Sequence, residues 1–341
     1  MLECEAMRLP FVFSLASLVT GVMVGVSPLA VAAEYEDAQT LLTAQKWAEA
    51  LPILKKLNEE EPESITVAQD LGQVLLRLNR REESLELLRK YKLNRQADIA
   101  ARTFISKDSF RFYQQGLDWL TKHAYPQACE RLERALEKDQ AHLDVLLRLG
   151  QCEILDGNAD LGLKFFDQLE RIHGKTTETQ LWRARGAFLR GHPEEAIPVF
   201  ATLGNSSRTS EPTAELIPLW GAETLAASNQ KTAAQTLLDG DVKKNPAHLQ
   251  TALAAIRLRL SQAESPNQIL AVDRDLGAWE KLFAARLKEK PKRSTEFIFN
   301  PFDSEGIQRA ALDTRQQLKL LLPSPTPSPS PSSTPKRPSK R

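Results

Sequence analysis

From about residue 34 to 262 the chain repeats one pattern of small and bulky apolar positions. Small residues stand at Ala38 and Gly72, and again at Gly116, Gly150 and Ala184, with 34 residues between neighbours in each group. Gly221 and Ala255 continue the series at steps of 37 and 34. Twelve residues beyond each of the first six comes a second small residue: Ala50, Ser84, Ala128, Gly162, Ala196 and Ala233. Four residues further stands a bulky one: Leu54, Leu88, Leu132, Phe166, Phe200 and Leu237. Each unit therefore reads as two helices of roughly 12 to 14 residues joined by a short turn, with small residues where the two axes cross. Gly157, Gly191 with Pro193, and Asn229 mark turns, while Pro62 and Pro246 close units. One helix pair cannot bury its apolar face alone, and stacked pairs can. The predicted fold is all-α, an α-solenoid: a right-handed superhelix of antiparallel helix pairs with no sheet.

Two insertions disturb the period. Ten extra residues separate Gly72 from Gly116, so the stretch Gln96 to Ser106 is expected to be an extra helix or a distorted unit. Three more precede Gly221, and the Ser/Thr-rich stretch Asn205 to Thr213 reads as an exposed loop. After the repeats, Ser265-Pro266 is a helix start, and Ile269, Val272, Leu276, Trp279, Leu282, Phe283 and Leu287 follow helical spacing. That helix is expected to cap the last repeat. The pattern breaks over Lys288 to Arg293 and is followed by the apolar run Phe297 to Phe302, which either folds back or docks on a partner. Asp303 or Ser304 can cap a last helix reaching about Leu322. From Pro323 the chain is Pro, Ser and Thr with Lys336, Arg337, Lys340 and Arg341, a composition that stays extended. The expected domains are thus 1–33 a signal peptide, 34–262 the solenoid, 263–322 a helical cap and 323–341 a disordered basic tail.

Lys46-Trp47-Ala48-Glu49-Ala50-Leu51-Pro52-Ile53-Leu54, followed by Pro62, resembles the second helix and closing proline of the tetratricopeptide repeat family. Arg148-Leu149-Gly150-Gln151 and Asp70-Leu71-Gly72-Gln73 resemble its first helix. The resemblance covers roughly residues 34 to 262. It implies that first helices line a concave side where partners bind. The outward slots there are Tyr113, Leu117 and Leu120 in the third unit, Leu147, Gln151, Ile154 and Leu155 in the fourth, and Leu181, Arg185, Phe188 and Leu189 in the fifth. An exposed stripe of this kind suits an apolar peptide or helix; packed inside a tight array, it is ordinary core. The Lys and Asn clamp with which some family members hold a chaperone's carboxylate tail is missing, since the matching slots hold Tyr35, Gln39, Gln69, Gln73, Tyr113 and Leu117.

Charge narrows the partners. Lys plus Arg total 45 against 44 for Asp plus Glu, which leaves no basic surplus for a nucleic-acid partner. Arg8 precedes an uncharged run from Leu9 to Ala33 that closes on small residues, the form of an export signal. Glu3 and Glu5 spoil its positive start, and Met7-Arg8 makes a better one. The alternative is an uncleaved membrane anchor over Phe11 to Val26. Of three cysteines, Cys4 lies in this segment; Cys129 and Cys152 fall on facing helices, as a disulfide or as two buried thiols. The five histidines, at 123, 142, 173, 192 and 248, fall at turns without metal-site spacing. No Gly-rich phosphate loop is present, and the acidic run Glu59 to Glu61 reads as a solvated helix end.

No cofactor and no catalysis are expected. The leading expectation is a protein-interaction scaffold in the periplasm or on the outer surface of a bacterial envelope. The alternatives are a periplasmic chaperone or secretion-system subunit, and an enzyme at the junction of repeats and C-terminal region. The tail reads as a solubiliser, or as a weak contact to anionic envelope polymer or membrane surface.

Overall fold

The structure, a computed structural model, describes residues 28–204, 213–288 and 304–322. Sixteen helices run through the described residues, with no strand among them. Five expectations fall partly or wholly outside those residues: the export signal 1–33 as far as residue 27, the loop 205–213 as far as residue 212, the break 288–293 beyond Lys288, the apolar run 297–302 and the basic tail from Pro323. No described helix is long and apolar enough to cross a membrane.

Contacts divide the chain into two units, at Leu78 and Asn79. The first holds α1 (Pro28–Thr43), α2 (Trp47–Glu60) and α3 (Ile65–Arg77), each packed on the next. Ala38, Ala50, Leu54, Leu57 and Ala68 have no exposed surface, so the small and bulky slots of the repeat are its core. Tyr35 Oη and Gln39 Nε2 on α1 donate to Asp70 Oδ2 on α3 at 2.7 and 2.6 Å. Burial of this cluster raises the pKa of both Asp70 and Tyr35.

The second unit opens with α4 (Arg81–Lys90) and α5 (Asn94–Arg102). The division therefore falls inside the helix pair that the repeat pattern makes from Gly72, Ser84 and Leu88. The expected insertion is a helix of its own, α5, packed on α4. Four helix pairs follow: α6 (Lys107–Thr121) with α7 (Tyr125–Lys138), α8 (Leu143–Leu155) with α9 (Ala159–His173), α10 (Thr177–Leu189) with α11 (Pro193–Gly204), and α12 (Thr213–Ala227) with α13 (Lys231–Lys244). Consecutive helices pack together along the series, and first helices also meet first helices, α8 on α10 and α10 on α12.

Close approach explains the glycines of the pattern. A Cβ on Gly116 would lie 2.7 Å from Leu132 Cγ, and one on Gly162 would lie 2.7 Å from the carbonyl oxygen of Gly150. The turns inside pairs share one device. Gln45, Asn79, His123, Gly157, Gly191 and Asn229 all have positive φ, and the first five stand seven residues beyond the small residue of the preceding helix. Gly157 and Gly191 take this left-handed conformation without a steric penalty.

Asn229 exposes an error of register in the sixth unit. Its turn places the small residue of α12 at Ala222, not Gly221, and the small and bulky residues of α13 at Ala234 and Leu238, not Ala233 and Leu237. Burial agrees: Ala222, Ala234 and Leu238 form one core cluster with Ala255, while Ala233 is exposed. The insertion before α12 is one residue longer in register than the spacing of glycines suggests.

At the C-terminal end, α14 (Leu249–Ser261), α15 (Pro266–Lys288) and α16 (Ser304–Leu321) enclose Leu253, Ile256, Leu260, Val272, Leu276, Trp279, Ala311 and Leu318. Ser265 and Gln268 exchange side-chain and backbone bonds at the start of α15, a capping box. Trp279 Nε1 donates to Leu249 O at 2.6 Å, tying α15 to the start of α14. Leu282 and Leu287, expected to complete this cap, are instead 57% and 55% exposed, whereas Phe283 beside Leu282 packs against the cluster.

Candidate functional site

The first helices α8, α10 and α12 share a continuous face. Arg148 Nη1 on α8 donates to Gln151 Oε1 at 2.9 Å, and Gln151 Nε2 donates to Glu178 Oε1 on α10 at 2.9 Å. Arg148 also lies 3.6 Å from Glu178. One step on, Arg185 of α10 donates to Glu223 of α12 at 2.7 Å. Its guanidinium lies 5.3 Å from the ring centre of Phe188 and 5.2 Å from that of Trp220, held between two aromatic rings. Trp220 in turn meets Trp182 edge to face, with centroids 4.9 Å apart. The charges of this face are thus paired with one another, and its apolar residues lie between the pairs.

Of the eleven slots taken from the repeat pattern, Leu147, Leu155, Arg185 and Phe188 are half-buried on this face and Leu189 is 45% exposed. Four others are interior and correct the expectation of an exposed stripe: Leu120, Gln151, Ile154 and Leu181 have at most 1% of their surface exposed. Ile154 fills the space left by two glycines, since a Cβ on Gly162 would lie 2.7 Å from its Cγ1 and one on Gly186 3.2 Å from its Cδ1. Leu120 and Leu181 stand one helical turn from Gly116 and Ala184, on the side that meets the second helix. Gln151 is buried with both ends of its amide bonded.

Tyr113 and Leu117 are half-buried on α6, and Tyr113 is not open. Phe104, in the link from α5 to α6, packs its ring 5.2 Å from that of Tyr113 and stacks at 3.9 Å on His142. Burial raises the pKa of the Tyr113 hydroxyl. The insertion therefore covers the α6 end of the face with the chain's own aromatic residue.

A buried arginine holds that cover in place. Arg81, at the start of α4, pairs with Asp139 after α7, and both side chains are wholly buried. Arg81 also donates to the carbonyls of Ala100, of Thr103 at 2.8 Å and of Gln140 at 3.2 Å. The other Asp139 oxygen accepts from Ile105 N at 2.9 Å. Burial lowers the Arg81 pKa and raises that of Asp139, while their mutual attraction opposes both shifts. His142 bonds Arg102 O through Nε2 at 3.0 Å, and burial beside Arg81 pushes its pKa down to about 3. Glu82 reaches from α4 to Arg171 and Gln168 on α9 at 3.1 Å each. Spacing could not find Arg81: in Asn79-Arg80-Arg81-Glu82-Glu83 it reads as one more surface charge.

Residues 34–107 match a tetratricopeptide repeat family model. The tetratricopeptide match spans α1 to α5. The chain is similar to a tetratricopeptide repeat protein from Parabacteroides merdae at 14% identity, over 84% of this chain and 99% of that one, with a TM-score of 0.44. It is similar to the C-terminal part of a tetratricopeptide repeat-containing protein from Cytophaga hutchinsonii at 15% identity, over 75% and 96%, with a TM-score of 0.36. A third likeness is to PilW, a type IV pilus biogenesis factor, at 14% identity over 67% and 100%, with a TM-score of 0.36. No curated protein sequence matches the chain.

Outside the tetratricopeptide match, Cys129 on α7 and Cys152 on α8 bring their sulfurs within bonding distance, with Cα atoms 5.7 Å apart. His192, Glu194 and Glu195 place donor atoms within 4.8 Å of one another, at the exposed start of α11. His192 Nδ1 lies 3.2 Å from Glu194 Oε1, and carboxylates at a helix N-terminus are favoured by the helix dipole alone.

Proposed function

We propose that the chain is a non-catalytic scaffold that takes a protein partner on the face of α8, α10 and α12, and that it works in a bacterial envelope after export. One observation carries the reading. Leu189 is 45% exposed at the end of α10, and Phe188 on α10 and Leu147 and Leu155 on α8 are half-buried, on helices whose arginines Arg148 and Arg185 are already matched by Glu178 and Glu223. Such a surface offers apolar contact with little net charge, so it suits an apolar segment of a partner, an extended peptide or one side of a helix. Because charge is balanced within the face, binding should depend only weakly on salt. The envelope location rests on the apolar N-terminal run.

A photo-crosslinking residue at position 155, in cells making the protein at native level, tests both parts. One stoichiometric protein from the envelope fraction is expected, and Leu189→Asp should reduce its capture at least tenfold with an unchanged melting temperature. Many unrelated products would mark a chaperone instead. Capture unaffected by Leu189→Asp would remove this face from the account.

A further inference from the structure

We propose that Cys129 and Cys152 form an oxidatively closed clasp that fixes α8 on α7, and that the chain therefore completes folding where thiols are oxidised. Their Cα separation of 5.7 Å lies inside the 4.4–6.8 Å that a disulfide spans without backbone movement. Both positions are buried, Cys129 to 6% and Cys152 to 0% exposure. The pair sits at a joint of the array: α7 is the second helix of one pair, and α8 is the first helix of the next. The same joint receives Arg81 through Asp139 and Gln140, so the clasp closes a region already fixed from the other side.

What hangs on α8 gives the clasp its consequence. Arg148 and Gln151 reach from α8 to Glu178, and Gly150 abuts Phe166 of α9. A helix free to shift on α7 would disturb both contacts. The chemistry is an exchange with a disulfide carrier, such as oxidised glutathione or a dithiol oxidase. The thiolate of one cysteine attacks the carrier disulfide, giving a mixed disulfide and releasing one carrier thiol. The thiolate of the other then attacks the protein sulfur of that mixed disulfide and releases the second carrier thiol. Two electrons and two protons pass to the carrier in all. Since Cys152 has no exposed surface once α7 and α8 have packed and Cys129 keeps only 6%, exchange precedes that packing, and the closed bridge resists reductant until the joint opens. A reducing compartment would leave two buried thiols at the same place.

The proposal concerns α7 and α8 alone and does not depend on the partner reading; loss of partner binding is not its readout. Thiols are trapped by acid in cells making the full chain, then alkylated in denaturant before and after reduction and weighed by mass spectrometry. No alkylation at Cys129 and Cys152 before reduction, and one group on each after it, is expected. Hydrogen exchange then compares the oxidised protein with the reduced protein and with the double variant Cys129→Ala/Cys152→Ala. Amides of α8 should exchange at least tenfold faster in the last two, with α12 and α13 unchanged, and the melting temperature should fall by roughly 5–10 °C. Free thiols at both positions in the acid-trapped protein would overturn the proposal. So would equal exchange of α8 in all three samples.

Discussion

Arg81 and Asp139 stand 58 positions apart and meet in an ion pair with no solvent exposure on either side chain. The carbonyls of Ala100 and Thr103 accept from the same guanidinium and fasten α5 and the link to α6, so the pair orders an insertion that local spacing leaves undefined. Removing one member strands the other charge in the interior. Arg81→Met should cost about 3–5 kcal/mol of stability in denaturant titration, and the double change with Asp139→Leu less than the single one. A double-variant loss equal to the sum of the two single-variant losses would show that the pairing contributes nothing.

Glycines give a prediction of opposite signs. Gly162→Ala brings a Cβ to 2.7 Å from a backbone oxygen that cannot turn aside, and should destabilise by about 1–3 kcal/mol. Gly240, inside α13, has nothing within 4 Å of its would-be Cβ. Gly240→Ala should raise stability by about 0.5–1 kcal/mol, since alanine loses less entropy in a helix. Paired thermal melts check both, and a gain from Gly162→Ala would refute the packing.

The register of α13 is open to a direct test. Ala234 is fully buried and Ala233 exposed, so Ala234→Leu should overpack the core and cost about 1–3 kcal/mol. Ala233→Leu should stay within about 0.5 kcal/mol of the parent. The reverse order in urea unfolding would restore the Gly221 register.

Acid should weaken the second unit through His142. Its folded pKa of about 3 lies below the ordinary value of 6.5, so between those limits the unfolded chain binds a proton that the folded chain refuses. Stability is then complete above pH 6.5 and is lost as pH falls toward 3. The groups facing the ring are Phe104, Tyr113, Arg102 and Arg81, and the two arginines oppose its protonation. At pH 5 the His142 contribution should be about 2 kcal/mol below that at pH 7. His142→Phe, which keeps the stack on Phe104, should flatten this part of the pH profile. An unchanged slope in that variant would place the effect elsewhere.

Much of the helix pairing was legible in the spacing of small residues, because a Gly or Ala at a helix crossing and a left-handed turn seven residues later are local requirements. Gly116, Gly150 and Gly162 answer to neighbours on the adjoining helix, at distances of 3.0 Å or less. The proposed partner face was legible only in part. Leu147, Leu155 and Phe188 are half-buried and Leu189 is exposed, but Ile154 and Leu120 share their apolar character and face inward. Apolarity alone does not say which side of a first helix meets its own second helix.

By itself the sequence determined that this protein is built of helix pairs and where most of their turns fall. Each of those follows from interactions within about four residues along a helix or from composition. Tertiary structure alone decided that the insertion covers Tyr113 with Phe104, that Arg81 belongs to the interior, and that Ala222 rather than Gly221 marks the sixth unit. Those depend on contacts between residues tens of positions apart, whose energy exists only once the helices have stacked.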